Sequence, residues 1–183
     1  MTNPLIQRYI DCLKAYNETT NIYSKKAYDK LDFHIEDSLQ LAGLIGDREC
    51  LVYDFGSGSG LPSIPIAIAN SKNSVVAFES KSRKTNFLSH VADQIGLLNY
   101  DVVTENIVEY GRRGVVDCPD VITAKAFCPY ERIEPYIKYF VGEGTELYLP
   151  ISKTQFQVYK QLDLPDIELI SIEDEFFYLH RTY

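Results

Sequence analysis

Three glycines at alternate positions follow a short apolar segment and form the most informative chemical pattern in this sequence. The segment Leu51-Val-Tyr-Asp-Phe continues as Gly56-Ser57-Gly58-Ser59-Gly60. Because glycine has no Cβ, such a loop can turn sharply and bring its backbone close to a bound ligand. A tight turn between a strand and a helix has the same composition, so the loop alone leaves a purely structural role open.

A carboxylate at the end of the next apolar segment adds a second chemical group. Glu79 lies 23 residues after Gly56 and closes the run Ser74-Val-Val-Ala-Phe. In nucleotide-binding folds, a carboxylate at the end of the second strand accepts hydrogen bonds from ribose hydroxyls. A solvated acid at a strand end is the alternative. Together, the loop and the carboxylate predict a site for a cofactor that contains a nucleoside.

The spacing of the glycines distinguishes between classes of cofactor. The dinucleotide pattern G-x-G-x-x-G, counted from Gly56, requires a glycine where the chain has Leu61. The P-loop pattern is absent as well, because no lysine follows Gly60. Asp54 with the GxGxG spacing is similar instead to the S-adenosylmethionine loop of Rossmann-like methyltransferases. We therefore predict S-adenosylmethionine as the cofactor and disfavour NAD.

The elements that must position these groups follow from the apolar periodicity. Two amphipathic N-terminal helices are predicted over residues 5–16 and 33–45. Strands are predicted over 51–55, 74–78, 100–104, 121–124, 146–149, 167–172 and 176–179, and helices over 64–69, 81–96 and 130–140. This alternation predicts an α/β fold with a mostly parallel sheet and an antiparallel end. We expect a single domain over residues 1–183, with an N-terminal helical part (1–46) and a Rossmann-like core (47–183).

Composition and charge exclude several other classes of protein. The chain has 183 residues, of which 45% are apolar, with 14 Tyr and 9 Phe, and such a composition builds a core rather than a disordered segment. The longest apolar run, 64–69, is too short to cross a bilayer, and the N-terminus lacks a secretory pattern. We therefore expect a cytoplasmic protein with no membrane partner. Cys12, Cys50, Cys118 and Cys128 form no paired motif, which predicts reduced thiols and no metal. A net charge of −8 disfavours a general nucleic-acid-binding surface.

Several segments together resemble one family. They are Tyr16-Asn17 with Asn21-Ile22, His34-Ile-Glu-Asp-Ser38, Asp54-Phe-Gly-Ser-Gly-Ser-Gly-Leu-Pro-Ser-Ile-Pro-Ile66, Glu79-Ser80 with Arg83, Lys84 and Phe87-Leu88, and Lys125-Ala-Phe127. In this order they resemble the small-subunit (16S) ribosomal RNA guanine-N7 methyltransferase family, also called glucose-inhibited division protein B. The resemblance implies a class I methyltransferase fold and S-adenosylmethionine-dependent methylation of a guanine in a single-stranded loop. Its partner would be the small-subunit ribosomal RNA or the 30S particle.

The resemblance also implies roles for particular residues. The cofactor-binding residues it implies are Gly56, Ser57, Gly58, Gly60, Leu61, Glu79, Asn106, Ile107, Val108 and Lys125. Lys125 would stand near the methionyl end or the target base. His34, a lone histidine near a helix start, would act in catalysis or help to shape the cofactor pocket. Asp37 would support His34 or cap a neighbouring helix. Phe127 and Tyr130 are candidates to stack on the unstacked target base, with buried core as the alternative for Phe127.

Departures from the family pattern keep two alternatives open. Lys125 and Asn106 stand where the family has arginine, Ser63 replaces a glycine, and Leu149-Pro-Ile-Ser152 replaces L-K-G. Lysine lacks the bidentate fork of arginine, and losing cations weakens contact with phosphates. A cofactor-binding module without catalysis, or a methyltransferase with a non-RNA substrate, would tolerate such changes.

Overall fold

The structure, a computed structural model, describes residues 3–114, 117–162 and 164–183. The strands are β1 (Leu51–Phe55), β2 (Ser74–Glu79), β3 (Tyr100–Thr104), β4 (Val121–Thr123), β5 (Glu146–Ile151), β6 (Glu168–Ile172) and β7 (Phe176–Thr182). The α-helices are α1 (Pro4–Asn17), α2 (Leu31–Ile45), α3 (Ser63–Ala69), α4 (Ser82–Ile95), α5 (Ile107–Arg112), α6 (Glu134–Ile137) and α7 (Lys153–Leu162), and 3-10 turns cover Lys25–Lys30 and Tyr130–Arg132.

The strands form one seven-stranded sheet in the order β3-β2-β1-β4-β5-β7-β6. Strands β1 to β5 are parallel, while β7 runs antiparallel between β5 and β6. This confirms the predicted mostly parallel sheet with an antiparallel end. The strand order reverses between β1 and β4, and ligands of such sheets bind at the carboxyl ends of the strands near this point. The glycine loop after β1 and Lys125 after β4 both lie at this edge.

Alternation along β1 divides the core into two layers. Val52 belongs to the apolar layer that contains residues of α1 to α4, and Tyr53 and Phe55 belong to the layer on the other face of the sheet. Successive side chains of a strand point to opposite faces, so Asp54 points to the same face as Val52. One buried carboxylate is therefore set into the apolar layer beneath the N-terminal helices.

Two helices, α5 and α7, were not predicted from the sequence, and the helix predicted over residues 130–140 is interrupted. Pro135 lacks an N–H group and cannot continue the preceding turn, so the segment splits into a 3-10 turn and the short helix α6.

Both of the helices that were not predicted, α5 and α7, carry local N-terminal signals. Asn106 caps α5, and Ser152-x-x-Gln155 is a capping-box sequence at the start of α7.

A buried asparagine closes the polar loop after α1. The side-chain oxygen of Asn17 accepts hydrogen bonds from the backbone N–H groups of Ile22 (2.9 Å) and Tyr23 (3.1 Å). Its amide nitrogen donates to the Tyr23 carbonyl (2.8 Å) and to the Tyr28 hydroxyl (2.7 Å). All these bonds converge on one residue that is 2% exposed, so the loop depends on this single side chain.

Replacing Asn17 with alanine tests this dependence. Asn17→Ala leaves buried backbone N–H groups without partners, and we expect the free energy of unfolding to fall by about 1–3 kcal/mol. Asn21→Ala is the matched control, because Asn21 is exposed, and its effect should stay within about 0.5 kcal/mol. Urea unfolding followed by circular dichroism measures both. Equal effects of the two substitutions would contradict this account of the loop.

Candidate functional site

A cavity of about 360 Å³ opens at the carboxyl ends of β1, β2 and β3. Its size is in the range of small-molecule sites. The lining residues come from the ends of strands and the starts of helices, namely Gly56, Phe78, Glu79, Ser80, Lys81, Lys84, Glu105, Asn106, Ile107, Ala126, Phe127 and Tyr136. The structure thus brings Gly56, Glu79, Asn106 and Ile107, all predicted from the sequence as cofactor-binding residues, to one cavity.

Glu79 is held rigidly at the wall of this cavity. Its Oε2 accepts a hydrogen bond from the Gly58 N–H (3.2 Å), and its Oε1 accepts one from the Lys81 N–H (2.9 Å). The Lys84 ammonium lies 3.5 Å from Oε2. The Ser80 hydroxyl also donates to Oε1 over a long distance of 3.5 Å. A carboxylate has about four acceptor positions, so one position remains for a hydroxyl donor and another is held only by this long bond. The arrangement presents a fixed hydrogen-bond acceptor at the end of β2.

The glycines of the loop serve different purposes. Gly56 has φ +74°, and a Cβ there would lie 2.6 Å from Cδ2 of Phe127, whose ring rests on the loop. Gly60 has φ +94°, and a Cβ there would lie 2.4 Å from Ile64 in the apolar core. The cavity is not lined by Gly60 or by the buried residues Ser57 and Leu61. Gly58 does not line it either, but its N–H donates to Glu79. Cofactor contacts of these four residues stay predictions.

Two buried side chains support the loop from below. The hydroxyl of Tyr9, on α1, donates to the Ser59 carbonyl (2.8 Å). Asp54 Oδ1 accepts a hydrogen bond from the Thr123 hydroxyl (2.8 Å), which joins β1 to β4, while its Oδ2 has no partner among the described residues. Burial raises the pKa of Asp54. Sequence reasoning missed Tyr9, since nothing in a helical apolar pattern shows which loop a tyrosine will reach.

Asn106 has a structural role where the family pattern has arginine. Its side chain accepts a hydrogen bond from the Val108 N–H (2.9 Å) and so caps α5. This places the first residue of α5, buried Ile107, against the cavity, whereas Val108 packs against the second core layer and does not line it. Ser63, another departure from the family pattern, is fully buried, and its hydroxyl shares a hydrogen bond with that of Tyr100 (2.9 Å).

Lys125 is engaged with the N-terminal helices. Its ammonium forms an ion pair with Asp37 on α2 and lies 3.4 Å from the His34 carbonyl oxygen. The Tyr178 hydroxyl donates to the other carboxylate oxygen of Asp37 (2.9 Å). Lys125 lines neither this cavity nor the second one described below, so its predicted contact with the cofactor or the base stays a prediction.

His34, which is half-buried, belongs to the same network. Its Nδ1 shares a hydrogen bond of 2.7 Å with the Tyr23 hydroxyl. Burial, and then the charge of Lys125, lower the pKa of His34. Asp37, which the sequence suggested as a support for His34 or as a helix cap, forms an ion pair with Lys125. These contacts favour the structural alternative for His34, and its catalytic role stays a prediction.

A second cavity of about 290 Å³ adjoins the first at the carboxyl ends of β4 and β5. Both cavities are lined by Ala126 and Phe127, which therefore form the boundary between them. Ala126 has φ +52°, a left-handed conformation that alanine rarely adopts and that is typical of functional turns. Phe127 is half-buried, and its ring packs edge-on against Tyr136 at 4.8 Å. Tyr130 lines the second cavity, so both predicted stacking residues border it.

Other kinds of site are not found in the described parts of the chain. Within residues 3–114, 117–162 and 164–183, no group of three or more His, Cys, Asp or Glu side chains is placed to hold a metal ion. The four cysteines carry free thiols. None of the helices in these ranges combines the length and the apolar character that a membrane span requires.

Comparison with known proteins decides the family. The model of the family described as rRNA small subunit methyltransferase G matches residues 2–168. The chain belongs to this family. A family relative from Chromobacterium violaceum, named ribosomal RNA small subunit methyltransferase G, is 37% identical over 67% of this chain and 57% of its own length, so the chain spans less than two thirds of that relative. A Helicobacter pylori relative of the same name is 28% identical over 99% of this chain and 94% of its own length.

Solved structures agree on the fold. A methyltransferase from Geobacter sulfurreducens superposes with a TM-score of 0.65 at 11% identity and covers 99% of this chain and 89% of its own. Cofactor-bound Rv0187 from MTB gives a TM-score of 0.65 at 14% identity, over 99% of this chain and 90% of its own. The family model confirms the predicted family, and the solved structures confirm the predicted Rossmann-like class I fold.

The ion pair between Lys125 and Asp37 yields a stability prediction. Lys125→Met leaves Asp37 almost buried without its cation, and we expect the free energy of unfolding to fall by about 3 kcal/mol. The control is Lys153→Met, because the ion pair of Lys153 with Asp174 is exposed and should contribute less than about 1 kcal/mol. Urea unfolding measures both variants. If Lys125→Met is no more destabilising than its control, the ion pair does not stabilise the site.

Proposed function

We propose that this protein transfers a methyl group from S-adenosylmethionine to N7 of a guanine in a single-stranded loop of small-subunit (16S) ribosomal RNA. Family membership supports the reaction class. The observation that carries the proposal is the shared boundary of Ala126 and Phe127 between two adjoining cavities. A methyl donor in the first cavity and an acceptor base in the second would meet at this boundary.

The residues of the first cavity fit the cofactor. Glu79 would accept hydrogen bonds from the ribose hydroxyls, and the apolar wall of Phe78 and Ile107 would border the adenine. The glycine loop, held by Tyr9 and Glu79, would present its backbone to the methionyl part. When bound, the cofactor supplies a methyl group on a positively charged sulfur.

The second cavity fits an acceptor that requires no general base. Guanine N7 carries a lone pair and no proton, so the protein has only to hold the base in line with the methyl carbon. Orientation of this kind lowers barriers by up to roughly 7–11 kcal/mol in favourable cases. The described lining holds no histidine or carboxylate, and burial raises the pKa of its one thiol, Cys128, which therefore stays neutral. The half-buried rings of Phe127 and Tyr130 would contact the unstacked base.

The proposal includes the partner and the location. Near the first cavity, Lys81 and Arg83 place positive charge at the edge of a protein whose net charge is −8. Lys25 and Lys26, with Asn21, line a third cavity beside the N-terminal helices. These groups would contact the RNA phosphates, in naked RNA or in the 30S particle. We place the protein in the cytoplasm, with residues 1–183 acting as one catalytic unit.

Glu79→Gln tests the cofactor site. The amide keeps one oxygen acceptor for the loop but loses the charge that strengthens hydrogen bonds to hydroxyls, and we expect affinity for S-adenosylmethionine to fall roughly tenfold to hundredfold. Glu109→Gln on the exposed side of α5 is the matched control and should bind normally. Isothermal titration calorimetry measures both. Unchanged affinity in Glu79→Gln would remove Glu79 from the cofactor site.

Methyl transfer itself tests the proposed function. Labelled S-adenosylmethionine is incubated with small-subunit RNA that lacks the modification, both naked and as the 30S particle. We expect label in a single N7-methylguanosine after nuclease mapping, and the better substrate shows which form is recognised. Retained cofactor binding without label on either form would overturn the proposal in favour of another substrate or a binding module without catalysis.

A further inference from the structure

Gln155 stands at the wall of the second cavity, in the first turn of α7. Its Oε1 accepts two hydrogen bonds from Ser152, one from the backbone N–H and one from the hydroxyl, each 2.9 Å long. In return, the Gln155 N–H donates to the Ser152 hydroxyl oxygen (3.2 Å). This is a reciprocal capping box of the Ser-x-x-Gln type.

The capping box fixes which end of the amide is left for a ligand. If the amide of Gln155 were rotated by 180°, its NH₂ group would face the backbone N–H of Ser152. Both groups are donors, so neither would have an acceptor. The oxygen is therefore held by Ser152. The Nε2 group has no protein partner within the described residues, so it remains available as a donor. The Tyr130 hydroxyl, in contrast, accepts a hydrogen bond from Arg181 (3.0 Å) and can rotate its proton, so it offers no fixed polarity.

We propose that Gln155 selects guanine over adenine at the target position by donating a hydrogen bond from Nε2 to O6 of the base. This inference rests on the proposed function and names the group that reads the base. Next to N7, guanine carries the acceptor O6, whereas adenine carries an amino donor. The fixed Nε2 donor of Gln155 can pair with O6 of guanine. Against adenine it would face the amino group, another donor, and this unpaired contact disfavours adenine.

Gln155→Glu isolates this role. Glutamate preserves the Ser-x-x-Glu capping box, so the helix start is retained, but it replaces the donor with an acceptor. Gln157→Glu is the matched control, because it makes the same charge change on an exposed position of the same helix. Both variants should keep normal cofactor affinity by calorimetry and normal unfolding in urea.

The readout is kcat/KM for two RNAs, one with guanine at the target and one with 2,6-diaminopurine, in which an amino group replaces O6. For Gln155→Glu we expect a loss of roughly tenfold to hundredfold on the guanine RNA and a smaller preference for guanine over diaminopurine. Gln157→Glu should behave as the unsubstituted protein on both RNAs.

Two results would overturn the inference and leave the proposed function standing. One is a kcat/KM of Gln155→Glu on the guanine RNA that equals that of Gln157→Glu. The other is an equal loss on both RNAs with the base preference unchanged, which would show a purely structural role. If the unsubstituted protein forms no N7-methylguanosine at all, the proposed function fails and the inference fails with it.

Discussion

The hydrogen bond from the Thr123 hydroxyl to the Asp54 carboxylate crosses the point where the sheet reverses its strand order, and both cavities depend on it. Asp54 is 1% exposed and Thr123 is fully buried, so the bond lies in a low-dielectric interior where such an interaction is strong. It fixes β1 and β4 to each other at their carboxyl ends. The glycine loop after β1 and the Ala126 turn after β4 therefore keep their spacing, which is what places the two cavities side by side.

The N-terminal helices are tied to this edge by polar groups in addition to apolar packing. Tyr9 on α1 reaches the Ser59 carbonyl of the glycine loop, and Asp37 on α2 joins Lys125 after β4 to Tyr178 on β7. The Tyr9 hydrogen bond reaches the loop after β1, and the Asp37 ion pair reaches the segment after β4, so the two contacts lie on either side of the point where the strand order reverses. The helices thus fix the glycine loop beside the first cavity, and the antiparallel end of the sheet is connected to the same network.

The sequence predicted those parts of the site that local spacing encodes. Gly56 follows β1 and Glu79 is the last residue of the adjacent β2, and the two do meet at one cavity because parallel strands end at the same edge. The partner of Lys125 was not predictable, since Asp37 lies 88 positions away and no spacing rule connects them. Asn106 was interpreted as a lost cation, although an asparagine before an apolar residue is also a helix cap. The capping box before α7 was a local signal of the same kind, and it leads to Gln155.

The ring of Phe127 is a wall of both cavities and also rests on Gly56. Any displacement of this ring that improves the fit of one ligand changes the shape offered to the other. Under the proposed function, the binding free energies of the methyl donor and of the RNA would therefore be linked through one side chain. Thermodynamic linkage is reciprocal, so the factor by which the donor alters affinity for the RNA equals the factor by which the RNA alters affinity for the donor. A single phenylalanine would then couple the two ligands, and the coupling would be the same whichever ligand binds first.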